Sequence, residues 1–409
     1  MSQGSGYPQR LKVLFANHTG KVGGAEVSLL TLLEVLASSH GDKVELIIAA
    51  PDDGNLLERA KAIGVHAIST GRIRRLRRPK SASEFITAAM ALTRGIADAI
   101  QTLRIASPHI VYCNSLQSAL YFALPAALKR MPIIWHCRDL LMPHSIAKLV
   151  GMLSSAVIAI SNSVAKALFE HGVPRGKVRV IYNAVNAAQF EHPCESAVRE
   201  FRKRCGVPNG CLLVGMVAHI VPWKRHDIFV RMASMISRHY RDVRFVIVGG
   251  DIFGEHEQWL KQLMQLSSEL SLNDKLAFVG AQTDMATVMN AIDILVHPSP
   301  MEPFGRAIIE AMAAGKAVIA VNSFGPAEVI SDGENGLLVP TATPEAFAHA
   351  VTRLIEDEAL RERIGRAARK FVIERFSPQL HAEAILRLWF ELLGMKASQA
   401  NGSREQHQT

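Results

Sequence analysis

Short apolar runs alternate with segments whose apolar positions recur every three or four residues, from one end of the chain to the other. Lys12–Ala16, Val44–Ala49, Ile110–Tyr112, Ile133–His136 and Val157–Ile160 read as buried strands, and Val178–Ile181 closes this first series. Runs this uniformly apolar are expected of a parallel sheet covered by helices on both faces. Helical spacing lies between them, over Ala25–Ala37 and Ser83–Leu103. From Asn186 to Gly210 the pattern changes to polar residues of mixed charge with two prolines and no strand signal, which reads as a linker. The alternation then restarts. Leu212–Ala218, Phe245–Gly249, Leu276–Val279, Ile294–His297, Ala317–Val321 and Gly336–Val339 read as strands, with helices over Asp227–Arg238 and Glu257–Leu270. The pattern therefore predicts an α/β fold of two doubly wound halves: residues 1–190, a linker at 191–210, and residues 211–377. A last helix, Pro378–Leu393, is expected to pack back on the first half over 378–395, and the polar stretch 396–409 reads as a disordered tail. Sheets of this kind bind ligands beyond the carboxyl ends of their strands.

Composition narrows the class. With 409 residues the chain exceeds one typical core, and 49% apolar against 20% charged residues argues against disorder. Five cysteines show no paired spacing for a metal and read as reduced thiols of a cytoplasmic protein. Met1–Pro8 lacks the apolar core of a signal peptide, and Leu149–Ile160 is too short to span a bilayer, so a soluble or peripherally bound protein is expected. The formal net charge is +9, and six cations crowd between Arg72 and Lys80 with no acid among them. A solvated loop and a surface for anionic lipid or a phosphorylated acceptor both fit that run. Nucleic acid fits less well, because no interleaved aromatics accompany the charges.

The richest stretch for chemistry is Ser299–Gly315, Ser-Pro-Met-Glu-Pro-Phe-Gly-Arg-Ala-Ile-Ile-Glu-Ala-Met-Ala-Ala-Gly. Pro303 and Gly305 break regular structure, and a helix follows, so Glu302 sits on the loop and Glu310 within the helix. The backbone N–H groups of Phe304, Gly305 and Arg306 lie between the two carboxylates. A helix start attracts anions, and flanking carboxylates accept hydrogen bonds from hydroxyls. A phosphate joined to hydroxyl-rich groups fits such a site; a surface helix with solvated acids fits the motif alone equally well. Gly23 and Gly24 precede a helix after the first strand, where backbone can approach a ligand or merely turn. Lys224 and Arg225 follow the first strand of the second half, as a diphosphate clamp or as surface cations. His136 stands at a strand end with Arg138 and Asp139 after it, which raises the prospect of a site.

Taken together, these residues resemble glycosyltransferase family 4, the retaining nucleotide-sugar transferases of the GT-B fold. The resemblance covers nearly the whole chain. It rests on Gly-Gly-Ala-Glu at 23–26, His136, Ile-Ser-Asn-Ser at 160–163, Val-Ile-Tyr-Asn-Ala-Val at 180–185, Lys224, Phe-Val-Gly at 278–280 and the Glu302–Glu310 pair. It implies two Rossmann-like domains facing across a cleft, with the C-terminal helix crossing back. It also implies roles. Glu310 would bind the nucleotide ribose, and Glu302 would lie at the donor sugar. Phe304 and Gly305 would offer backbone N–H groups. Lys224 would clamp the diphosphate, approached by Gly24, Val279 would meet the base, and His136 would touch the donor sugar. The acceptor would enter on the amino-terminal side, near His18, the glycine loop and Arg74, Arg75, Arg77 and Arg78.

Two departures stand out. His219 occupies the place of the usual phosphate-binding Arg, where a neutral imidazole is a weaker anion ligand, and Arg225 is a candidate substitute. Ala184 replaces the usual Gly of an Asn-Gly-Val turn. The expected activity is metal-independent, retaining transfer of a sugar from a nucleotide-diphosphate donor to a glycan or lipid-linked acceptor, in cell-surface polysaccharide or glycolipid synthesis. No cofactor or metal is expected, nor a nucleic-acid partner. Two other readings remain: a GT-B sugar-nucleotide epimerase, and a non-catalytic nucleotide-sugar or glycan-binding protein, which His219 makes credible.

Overall fold

The computed structural model describes residues 10–76 and 81–395. Arg77, Arg78 and Lys80 of the basic run lie outside the described residues, as does 396–409. The chain forms two compact units: one runs to Tyr182 and resumes at Pro378, and the other is Asn183–Ser377.

The first unit is a seven-stranded sheet built from β1 (Leu11–Ala16), β2 (Val44–Ala50), β3 (His66–Ser69), β4 (Ile110–Cys113), β5 (Ile133–Cys137), β6 (Ala156–Ala159) and β7 (Val178–Val180). Its order is β3-β2-β1-β4-β5-β6-β7, and each pairing is parallel. Leu14 in the central strand pairs with Ile47 on one side and Val111 on the other. The helix Pro378–Leu392 gives this unit Ala382, Ile385 and Trp389 as core residues, and packs on the helix Gly24–His40. Trp389 lies edge-on to Phe15 at 5.9 Å and to Tyr112 at 6.4 Å. Truncating a buried Trp of this kind costs about 3–5 kcal/mol, enough to tie the last helix firmly to this unit.

The second unit is a six-stranded parallel sheet of β8 (Leu212–Val217), β9 (Val243–Val248), β10 (Leu276–Phe278), β11 (Ile294–His297), β12 (Ala317–Val321) and β13 (Leu337–Val339). Its order is β10-β9-β8-β11-β12-β13. In each unit the direction of winding reverses once, between β1 and β4 and between β8 and β11. Loops leaving those strand ends diverge and open a crevice. In the second unit these are the loops that carry Lys224 and Glu302.

Two sequence expectations need correction. The stretch 191–210 is not a free linker: the helix Glu195–Arg204 belongs to the second unit. It buries Phe201, and its Arg202 donates to the Ala291 carbonyl at 2.6 Å and to Asp293 at 3.0 Å. The passage between units falls instead after Tyr182. Strand β3, absent from the pattern reading, is an edge strand with both end residues exposed, so it lacks an apolar run.

Candidate functional site

In the second unit, three donors from the loop after β8, the end of β11 and the loop that follows it meet on one carboxylate. Glu302 is 7% exposed, and its Oε2 takes the Lys224 ammonium together with His297 Nε2 at 2.8 Å. Its Oε1 accepts the Gly305 N–H at 3.1 Å. The loops are held in place locally. Ser299 Oγ donates to the Trp223 carbonyl at 3.2 Å, joining the loop after β11 to the 3₁₀ turn Pro222–Lys224. Gly325 N–H donates to the Glu302 carbonyl at 3.0 Å. A side chain at 325 would put its Cβ 2.3 Å from the Phe304 Cα, so only glycine permits this approach. Burial alone would raise the Glu302 pKa. The Lys224 ammonium and the His297 hydrogen bond overcome it and hold the carboxyl far below the usual range, so Glu302 is ionised at neutral pH.

Gly305 caps the helix Arg306–Ala313 with φ of +97°, a left-handed conformation suited to glycine. Its N–H is engaged by Glu302, so it is not presented outward as the sequence reading had it. Phe304 is buried, with its ring edge-on to Phe376 at 5.5 Å, and serves the core through its side chain. Glu310, one turn into the helix, receives Arg306 Nε at 2.7 Å and Nη2 at 2.6 Å on a single oxygen, Oε1.

His219 is exposed in the loop after β8. The protein packed around its ring, and then the Lys224 charge, hold its pKa below the ordinary histidine value. Arg225, the candidate substitute for a phosphate ligand, is engaged with an acid of its own helix. It sits at φ +58° as the cap of the helix His226–Ser237 and is forked onto Asp227, Nε to Oδ1 at 3.0 Å and Nη2 to Oδ2 at 2.9 Å. Val279 has its N–H on the Ile247 carbonyl and its own carbonyl on Gln282, so its backbone is already paired. Gly280 beside it adopts φ of +68°.

The first unit has its own polar network at the β1/β4 ends. Gly23 N–H donates to Glu26 Oε2 at 3.0 Å, and Asn17 Nδ2 donates to Glu26 Oε1 at 3.1 Å. Asn114 bridges Asn17 and Arg138, accepting from Arg138 Nη2 at 2.9 Å. Gly23, at φ −113°, caps the helix that starts at Gly24, so the turn there does not require a glycine conformation. His136 lies within β5, which runs one residue past the expected strand end to Cys137, and it is wholly buried. Its Nδ1 faces Tyr112 Oη at 2.5 Å and Arg138 Nη2 at 3.3 Å. Burial, then Arg138 and His381, keep it neutral. His18 contacts Ser115 Oγ at 2.9 Å, and burial followed by Arg75 lowers its pKa to about 4. Arg74 and Arg75 are exposed. The sequence reading passed over His297, Ser299, Asn17 and Asn114. His297 was visible only as the polar end of an apolar run.

Comparison with known proteins identifies the class. The model described as Glycosyl transferases group 1 matches residues 198–371, and that described as Glycosyltransferase Family 4 matches residues 22–189. The chain belongs to glycosyltransferase family 4, and its two parallel-sheet units are those of the GT-B fold. An uncharacterized glycosyltransferase of Methanocaldococcus jannaschii is 27% identical over 87% of this chain and 91% of its own. A lipopolysaccharide core biosynthesis mannosyltransferase of Rhizobium leguminosarum is 32% identical, but the match spans 53% of this chain and 60% of that one. Among solved structures, Anabaena HepE in complex with UDP-glucose superposes with a TM-score of 0.80 at 25% identity, over 93% of this chain and 100% of that one. The chain is thus a GT-B glycosyltransferase related to enzymes of polysaccharide biosynthesis.

Proposed function

We propose that this glycosyltransferase moves a sugar from a nucleoside-diphosphate sugar to a glycan or lipid-linked acceptor, with retention of configuration and without a resident metal. The observation that carries this reading is the convergence of Lys224, His297 and the Gly305 N–H on ionised Glu302, at the head of a helix that holds Glu310. A Lys ammonium has three N–H donors, so contact with Glu302 leaves donors for a phosphate. Negative charge that builds on the leaving diphosphate then meets Lys224 and the positive end of the helix Arg306–Ala313. Glu302, fixed by its partners, orients the donor sugar and balances positive charge developing at the reacting carbon. Glu310 accepts from the ribose hydroxyls. The UDP-glucose bound by HepE supports a nucleotide-sugar donor of this kind. Retention is the outcome expected of family 4. In the first unit, buried His136 holds Tyr112 and Arg138 through its Nδ1, as a positioning group for those two side chains.

Thermal-shift screening of UDP-, GDP- and ADP-sugars identifies the donor, since a ligand that binds only the folded state raises the melting temperature. With that donor and a sugar acceptor, Lys224→Ala lowers kcat by at least about a hundredfold, as expected for a group acting on transition-state charge. EDTA leaves wild-type turnover unchanged. Tight donor binding with no transfer to any acceptor would favour the binding-protein reading. Isomerised donor without acceptor would favour the epimerase.

A further inference from the structure

The segment that leaves β3 is fastened, not loose. Arg72 N–H donates to Asp98 Oδ2 at 2.9 Å, and the Arg74 carbonyl accepts from Tyr121 Oη at 2.8 Å. Leu76 is held at both ends, its N–H on Gln117 Oε1 at 2.9 Å and its carbonyl on Gln117 Nε2 at 3.2 Å. Ile73 between them is 1% exposed. Gly95 makes room for this anchorage, because a Cβ there would lie 2.2 Å from the Tyr121 ring. The exposed side chains of Arg72 and Arg74 are thereby presented on fixed backbone, beside Arg94 of the helix Ala82–Ala106. The three arginines and Ala91 line a pocket of about 430 Å³. None of the three guanidiniums has an ion-pair partner among the described residues.

The same helix exposes an apolar stripe. Phe85 is 64%, Ile86 60% and Met90 49% exposed. Ile86, Met90 and Arg94 follow each other at steps of four residues, so the apolar stripe runs directly into the arginine pocket. Leaving three large apolar side chains in water forgoes burial that a core position would give. A second copy of this chain does not suit the patch, since two arginine clusters would face each other. A phosphate does suit it, because guanidinium groups pair with phosphate oxygens bidentately.

We propose that Arg72, Arg74 and Arg94 take the phosphate of an anionic lipid while Phe85, Ile86 and Met90 enter the apolar layer beneath it. The chain then docks on a bilayer through the start of the helix Ala82–Ala106. Each guanidinium near an anionic leaflet is worth about a fivefold gain in partition, so three together give up to about a hundredfold.

The test is flotation of full-length protein with vesicles of equal parts phosphatidylglycerol and phosphatidylcholine, against pure phosphatidylcholine. Wild type is expected to float with the anionic vesicles at low salt. The triple variant Arg72→Ser, Arg74→Ser, Arg94→Ser is expected to lose about tenfold or more of that binding. Phe85→Ser, Ile86→Ser, Met90→Ser is expected to bind at low salt but release at salt where wild type still holds, since only charge contacts are screened. All six positions are exposed, so both variants should melt as wild type does. Equal recovery of wild type and both variants would overturn the proposal. Calorimetric binding of inorganic phosphate that needs the arginines, with no recovery on either vesicle, would also overturn it and make the ligand a soluble phosphate.

Discussion

Glu302→Gln is the sharpest probe of the site, because it keeps shape and removes charge. The amide oxygen can still accept the Gly305 N–H. The amide nitrogen then turns toward Lys224 and His297 Nε2, placing donor against donor where the carboxylate had accepted from both. Each hydrogen bond to a charged group is worth about 1.5–3 kcal/mol, and stranding one partner of a buried pair costs about 3–5 kcal/mol. The Lys224 side chain keeps 17% exposure and the Glu302 side chain 9%, so some relief by water is available to the lysine. We therefore expect a loss of about 3 kcal/mol. For a unit of roughly 150–250 residues this lowers the melting temperature by about 6–12 °C. Calorimetry on Glu302→Gln, Lys224→Met and the double variant separates the pair from its surroundings. The double variant should be more stable than the sum of the two singles, because it no longer contains a stranded charge. Strict additivity, or a Glu302→Gln protein that melts as wild type, would refute the reasoning.

Glu310→Ala should weaken nucleoside-diphosphate binding by about 1.5–3 kcal/mol, read by calorimetry, since a ribose hydroxyl loses a charged acceptor. Unchanged affinity would remove Glu310 from the nucleotide site. His219 has a lowered pKa and is neutral at pH 7, so wild-type affinity for diphosphate should rise as pH falls below the ordinary histidine range. His219→Arg should raise affinity at neutral pH and flatten that dependence; a large loss of binding would show that the imidazole has a different task. His381, lowered to about 4 by burial, is neutral when folded. Its contribution to stability is full above its unfolded pKa near 6.5 and is lost as pH falls from there toward 4, amounting to about 3 kcal/mol at most. His381→Gln should flatten stability in that window, measured by denaturant unfolding at several pH values.

Most of the fold was legible because parallel strands buried on both faces leave long apolar runs, which no solvent-facing element does. Leu212–Val217 and Ala317–Val321 are of this kind. What escaped lacked that signature. The helix Glu195–Arg204 buries only Phe201 and is held by Arg202, whose contacts to Ala291 and Asp293 lie about 90 residues downstream. A polar decapeptide fixed by such distant partners has no local pattern to betray it. Strand β3 is an edge strand whose two end residues face water, so alternation replaced the apolar run.

The site divides along the same physical line. Glu302, Lys224 and Gly305 were readable because backbone geometry dictated them: loops at the carboxyl ends of β8 and β11, and a glycine before a helix. His297 was not, because a polar residue ending an apolar run has no sequence signal that says where its ring turns. It turns to Glu302, five residues on, across a proline-bearing loop. His136 shows the converse. Its neighbours Arg138 and Asp139 suggested a site open to a ligand, but β5 continues to Cys137 and the ring lies wholly in the core. Every residue of β5 is buried, so neither face of this strand offers a side chain to solvent. A histidine that reads as a sugar contact by position is thereby held against Tyr112 and Arg138 instead.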